Sequence, residues 1–193
     1  MPKKVDHDER RQSISDVVAD IVFESGVEAL TIRDIAQRVG CSPSVISHYF
    51  NSKLDMLIFT HRQVRGRAEK GLQRAIDNAL SASDGFERLL PVDEPRWRDW
   101  YTWFAFWGVG PDQETMNEER IAASSDATNL FIQLVEADQR RGRINPTLSP
   151  IEVALETQTV VNGIATLVAQ SPSEWPAERQ IAHFRKMFAR IVI

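Results

Sequence analysis

A chain of 193 residues that is 42% hydrophobic and 26% charged holds enough apolar material for a substantial core in one or two domains. No apolar run approaches the length that spans a bilayer, the N-terminus lacks the apolar core of a signal peptide, and the single cysteine, Cys41, excludes an intrachain disulfide or a cysteine-built zinc site. Net charge is −4, yet residues 1–70 carry 11 Lys and Arg against 10 Asp and Glu while residues 71–193 carry 12 against 17, which excludes a strongly basic nucleic-acid surface.

Local phosphate contacts by Lys3, Lys4, Arg10, Arg11, Arg33 and Lys53 are still permitted. A cytoplasmic protein with no membrane partner is expected. From about Asp8 to Ser25, Ile14, Val17, Val18, Ile21 and Val22 recur at helical spacing, and Gly26 closes this first helix. Thr31 precedes Ile32, Ile35, Ala36 and Val39, with Asp34 three places after it, which predicts a capped second helix ending at Gly40.

The turn Gly40-Cys41-Ser42 is short, Ser42 is placed to cap with its hydroxyl, and Pro43 suits a first helical position, so a third helix runs from about Pro43 to Phe50. Val45, Ile46, Tyr49 and Phe50 fall on one half of it for packing. Pro43, Ser44, Ser47 and His48 fall on the other half, a small polar face that can approach base edges in a major groove. Ser52 and Asp55 form a capping box for the next helix and put Lys53 at its start, where an ammonium can meet a phosphate. Two short helices joined so tightly, backed by the first, read as a helix-turn-helix.

The fourth helix carries Met56, Leu57, Phe59, Val64, Ala68, Leu72, Ala75, Ile76 and Ala79 to about Leu80, and Ser81–Gly85 is expected to break it. A short helix from Asp84 to about Leu90 and a turn at Pro91–Pro95 follow. In the next helix Trp97, Trp100, Phe104 and Trp107 lie within about 80° of arc, extended by Trp103. Such a stripe suits a packed core, and its rigid aromatic faces also suit a ligand pocket that attracts organic cations. Further helices are predicted from Met116 to about Arg141, from Pro150 with Ser149 as cap to Ser171, and from about Pro176 to the C-terminus. The last two expose apolar residues that fit a subunit interface.

The run Thr31-Ile-Arg-Asp-Ile-Ala-Gln-Arg-Val-Gly-Cys-Ser-Pro-Ser-Val-Ile-Ser-His-Tyr-Phe-Asn-Ser-Lys53 resembles the N-terminal DNA-binding signature of the TetR family of transcriptional regulators. The resemblance implies an all-α chain with a helix-turn-helix domain over residues 1–52 and a helical ligand-binding and dimerisation domain over residues 53–193. It implies that Thr31, Ser42, Tyr49 and Lys53 touch phosphates, with Arg33 beside them. Ser44, Ser47 and His48 then face bases or backbone along a recognition helix whose other places hold Pro43 and Val45. Trp103-Phe-Ala-Phe-Trp-Gly108 and Thr159-Val-Val-Asn-Gly-Ile-Ala-Thr-Leu167 resemble the BetI-like branch of the family, with Asn162 where aspartate is common.

The expected function is a dimeric regulator, usually a repressor, that binds a palindromic double-stranded operator and is released by a small-molecule effector. Trp100, Trp103, Phe104, Trp107, Phe131 and Asn162 are the candidate effector contacts. The alternative keeps DNA binding without an effector, the C-terminal domain serving dimerisation or a protein partner. A helical enzyme using His48, His61 or His183 lacks a nucleophile, metal-ligand partner or phosphate loop at useful spacing, so no catalytic residue, cofactor or metal is expected.

Overall fold

Helix dominates the computed structural model, which describes residues 7–108 and 114–193; no strand occurs among the described residues. In chain order the helices are α1 His7–Ser25, α2 Ile32–Val39, α3 Pro43–Tyr49, α4 Lys53–Asp77, α5 Ala82–Glu87, α6 Glu94–Trp107, α7 Glu114–Arg140, α8 Pro150–Gln170 and α9 Ala177–Ile191. Lys3 and Lys4, candidates for phosphate contact, lie outside the described residues. Packing gathers the chain into two compact units, Met1–Arg65 with Arg98–Asn117, and Gly66–Trp97 with Glu118–Ile193. The boundary expected at residues 52/53 follows the end of the sequence motif, whereas packing places the start of α4 and the later part of α6 with the first three helices.

In the first unit α1 turns Ile14, Val18, Ile21 and Val22 onto one face, as the helical period requires, and buries them with Leu30, Ile35, Ala36, Ile46, Phe50, Met56 and Leu57. Ile58 and Phe106 form a smaller cluster with Leu54. Two contacts tie α1 to α6: Arg98 donates to Asp20 at 2.6 Å, and Phe23 meets Tyr101 edge-on at 5.6 Å. His61 on α4 is buried and stacks on Phe106 with ring centroids 3.7 Å apart and on Trp103 at 4.6 Å.

In the second unit Phe86 is fully buried, with Phe131 at 4.6 Å and Phe188 at 5.9 Å. The carboxylate of Asp138, nearly buried on α7, accepts from the Ala82 backbone N–H at 2.6 Å and from Arg143 Nε at 3.0 Å. Arg143 also donates to the carbonyl of Leu80 at 2.8 Å, so one charged pair fixes the end of α4 and the start of α5. The hydrogen bond that Arg143 donates to Asp138 raises the pKa of the Arg143 guanidinium above its already high ordinary value. Packed on α9, α8 buries Val153, Ala154, Thr157, Val161, Ile164, Ala165 and Val168 on one side.

Four local expectations are corrected. The hydroxyl of Ser42 makes no capping bond; it pairs instead with Ser44 Oγ at 2.7 Å, because two neighbouring hydroxyls satisfy each other. Ser149 likewise stands at an N-cap without a side-chain bond. α4 stops at Asp77, and Ala79 turns the chain with φ of 54°; Ser81 then caps α5 by accepting from Asp84 N at 3.0 Å, so Ser81–Gly85 starts a helix that ends by Glu87. Pro95 sits in the first turn of α6, where its missing N–H costs nothing, and Asp93 accepts from Arg96 N at 3.0 Å.

Candidate nucleic-acid interface

The candidate surface is assembled by caps and a turn before any side chain faces outward. Thr31 accepts from Asp34 N at 3.1 Å and its own hydroxyl donates to Asp34 Oδ2 at 2.5 Å, fixing the start of α2. Gly40 takes the left-handed conformation, φ 72°, and Cys41 N–H reaches back to the Ala36 carbonyl at 2.9 Å, the pairing of a Schellman stop. A side chain at φ 72° would be strained, which accounts for glycine there. Pro43 then opens α3.

Ile46 is completely buried while Ser42, Pro43, Ser44, Ser47 and His48 are exposed and Val45 and Tyr49 are half-buried. The structure therefore gathers the expected recognition residues on one solvent-facing side of α3. Ser47 donates to the Pro43 carbonyl at 3.3 Å, which leaves its oxygen lone pairs outward. Thr31 and Arg33 are exposed on α2. Among the described residues neither Arg33 nor Lys53 enters an ion pair, so both charges stay available to phosphate.

The junction into α4 is held from behind. Ser52 Oγ accepts from Asp55 N at 3.0 Å, and the Asp55 carboxylate accepts from Asn51 N at 3.0 Å. Arg11 of α1 reaches the same carboxylate at 3.6 Å and lies over the rings of Phe50 at 4.8 Å and Phe59 at 4.3 Å. Arg38 pairs with Glu24 at 2.7 Å, linking α2 to α1. Sequence reasoning missed His7: its ring lies 4.8 Å from Tyr49 and 6.4 Å from His48, a meeting of α1 and α3 that no spacing within one helix announces.

The candidate effector residues fall in the two units. Trp100, Trp103 and Phe104 are half-buried and Trp107 is 48% exposed; Trp100 lies 5.6 Å from Phe104, and Trp107 6.1 Å from Trp103. Phe131 is buried against Phe86 in the second unit, and Asn162 is half-buried on α8. Within the first unit, Phe104 lines an open cleft of about 700 Å³ with Tyr101, Leu54, Leu57, Glu28 and Lys53. Tyr101 lies off the tryptophan arc, so the stripe alone did not mark it. No group of three or more metal-ligating side chains occurs among the described residues.

Comparison with known proteins places this geometry. Residues 17–58 match the profile of bacterial regulatory proteins of the tetR family, and residues 65–192 match that of the C-terminal part of BetI-type transcriptional repressors. The chain is 28% identical to the HTH-type transcriptional regulator PksA of Bacillus subtilis over 72% of its own length and 70% of that protein. It is 32% identical to the regulator BetI of Serratia proteamaculans over 61% of this chain and 62% of the relative, and 30% identical to BetI of Rhizobium meliloti over 48% and 45%. The chain thus spans about half to three fifths of the BetI relatives it matches.

A transcriptional regulator from Rhodococcus superposes with a TM-score of 0.80 at 21% identity, covering 94% of this chain and 95% of that one. A regulator from Saccharomonospora viridis in complex with choline gives 0.81 at 18% identity, over 94% and 96%. These two share the fold. With both halves matched, the chain belongs to the TetR family of transcriptional regulators and carries a C-terminal part of the BetI repressor type.

Proposed function

We propose that this protein is a cytoplasmic repressor that binds a palindromic DNA operator as a homodimer and leaves it when a small molecule enters its C-terminal part. The observation that carries the reading is the exposed face of α3. Small hydroxyls and one imidazole stand outward over a fully buried Ile46, with the cations Arg33 on α2 and Lys53 at the start of α4 before and after it in the chain. Hydroxyls can donate to and accept from base edges, an imidazole can meet a base edge or the backbone, and the flanking charges set register on phosphates. One seven-residue helix reads few base pairs, which supports a dimer with two such faces.

The effector in this reading is a small organic molecule seated against the tryptophans of α6. Choline is the first compound to try, because aromatic faces attract organic cations and the Saccharomonospora neighbour was solved with it. The DNA test is footprinting on the region flanking the gene. The wild-type protein protects a palindrome, and the Ser47→Ala/His48→Ala double variant loses protection while keeping its helicity and mass. Unchanged protection by that variant removes α3 from the recognition role. For choline, operator release together with a change in tryptophan emission is expected; absence of both responses rejects choline as the effector.

A further inference from the structure

His7 and His48 belong to different helices and are both exposed, yet their rings stand 6.4 Å apart in an edge-on arrangement. Tyr49 touches both, with ring centroids at 4.8 Å from His7 and 5.3 Å from His48. The three rings form one small cluster, and His48 places it on the outward side of α3 beside Ser44 and Ser47. The charged groups around it can be named. On α1, Asp8 Oδ1 lies 4.0 Å from His7 Nδ1, Glu9 and Arg10 follow in sequence, and Arg11 is turned away onto Phe50, Phe59 and Asp55. On α4, Lys53 and Asp55 open the helix.

We propose that His7 and His48 form a single two-imidazole phosphate-binding site on the operator face, so that operator affinity is coupled to protonation of the pair. The proposal rests on the operator-binding reading and adds to it a residue of α1 and a chemical readout. A protonated imidazole presents two N–H donors and a positive charge, whereas the neutral ring presents one donor and no charge. Side by side in the free protein, two charged rings repel each other. A phosphate between or beside them removes that opposition and favours the protonated forms.

The sign follows from that asymmetry. The DNA-bound state holds the protons more tightly than the free state, so affinity rises as pH falls and the gain is lost as pH rises through the bound-state titration. The affinity is followed between roughly pH 8 and pH 5.5, the range over which histidine side chains change charge. The effect is read as the change in operator affinity across that range, about tenfold for each imidazole and about a hundredfold for the pair.

The test is fluorescence anisotropy of a labelled operator fragment, taken from the footprint, titrated at fixed ionic strength from pH 5.5 to 8. Wild type, His7→Gln, His48→Gln and the double variant are compared, with circular dichroism at each pH to confirm that the fold is intact. Affinity of the wild type should climb as pH falls, each single variant should lose part of that slope, and the double variant should titrate flat. His7→Lys, with a charge fixed across the range, should bind more tightly than wild type at pH 8 and show a reduced slope. A His7→Gln variant that follows the wild-type curve throughout overturns the proposal while leaving operator binding intact. Absence of any protected or bound DNA for the wild type overturns the operator reading and the proposal together.

Discussion

Gly85 sits inside α5 because there is no room beside it. A Cβ built there would stand 2.6 Å from Leu134 Cδ2 and 3.2 Å from Ala75 Cβ, and Leu134 is fully buried and cannot swing away freely. Gly85→Ala should therefore destabilise the protein by about 1 kcal/mol or more despite the better helix propensity of alanine, read as a lower urea midpoint. Gly71 on α4 meets nothing within 4 Å of the same hypothetical atom, so Gly71→Ala should move the midpoint the other way, by about 0.5–1 kcal/mol. Matching signs for the two variants would show that packing does not distinguish them. The sequence pattern alone marks both residues only as glycines in helical runs. The side-chain partner of Ser42 was equally illegible: its place at the cap follows from Gly40 and Pro43, but the choice between a backbone N–H and the Ser44 hydroxyl depends on rotamers.

At the scale of elements, periodicity and caps carried most of the reading, since a helix with Ile14, Val18, Ile21 and Val22 on one face has few alternatives. The ends were harder where a distant partner decides them. α4 stops at Asp77, where Ala79 is turned to positive φ, and Arg143 and Asp138 hold the carbonyl of Leu80 and the N–H of Ala82 across more than fifty residues of sequence. No local signal announces that pair. It also predicts an effect. Asp138→Ala leaves the buried Ala82 N–H without its acceptor, which should cost about 1–3 kcal/mol, while the Arg143 guanidinium, 38% exposed, is hydrated in place of its carboxylate. Asp138→Asn keeps the acceptor and the shape, and should lose less. Equal losses for the two variants, measured by chemical denaturation, would mean that the contact to Ala82 contributes nothing separable.

For the whole molecule, the surface that its own core leaves uncovered is the informative one. Along α8 the residues Val153, Ala154, Thr157, Val161, Ile164, Ala165 and Val168 are buried, while Ile151, Leu155 and Leu167 are 51%, 47% and 37% exposed on the remaining sector. This excess of apolar positions over those one core uses was visible in the sequence, but which of them face inward was settled by packing against α9. In the proposed homodimer the exposed set is covered by the second copy, and an isologous contact presents each residue twice. Leu155→Glu then removes two buried leucines and inserts two facing carboxylates. With Leu155 47% exposed, the burial lost from the two copies amounts to about 1.5–3 kcal/mol, a weakening of the dimer by roughly tenfold to a hundredfold. Because Leu155 is outside its own chain's core, helicity and the unfolding midpoint of the monomer should change little. Light scattering after gel filtration should show monomer mass for the variant at a concentration where wild type is dimeric, and operator affinity should fall with it as two coupled heads become one. A variant that keeps dimer mass and operator affinity would move the interface away from this face of α8.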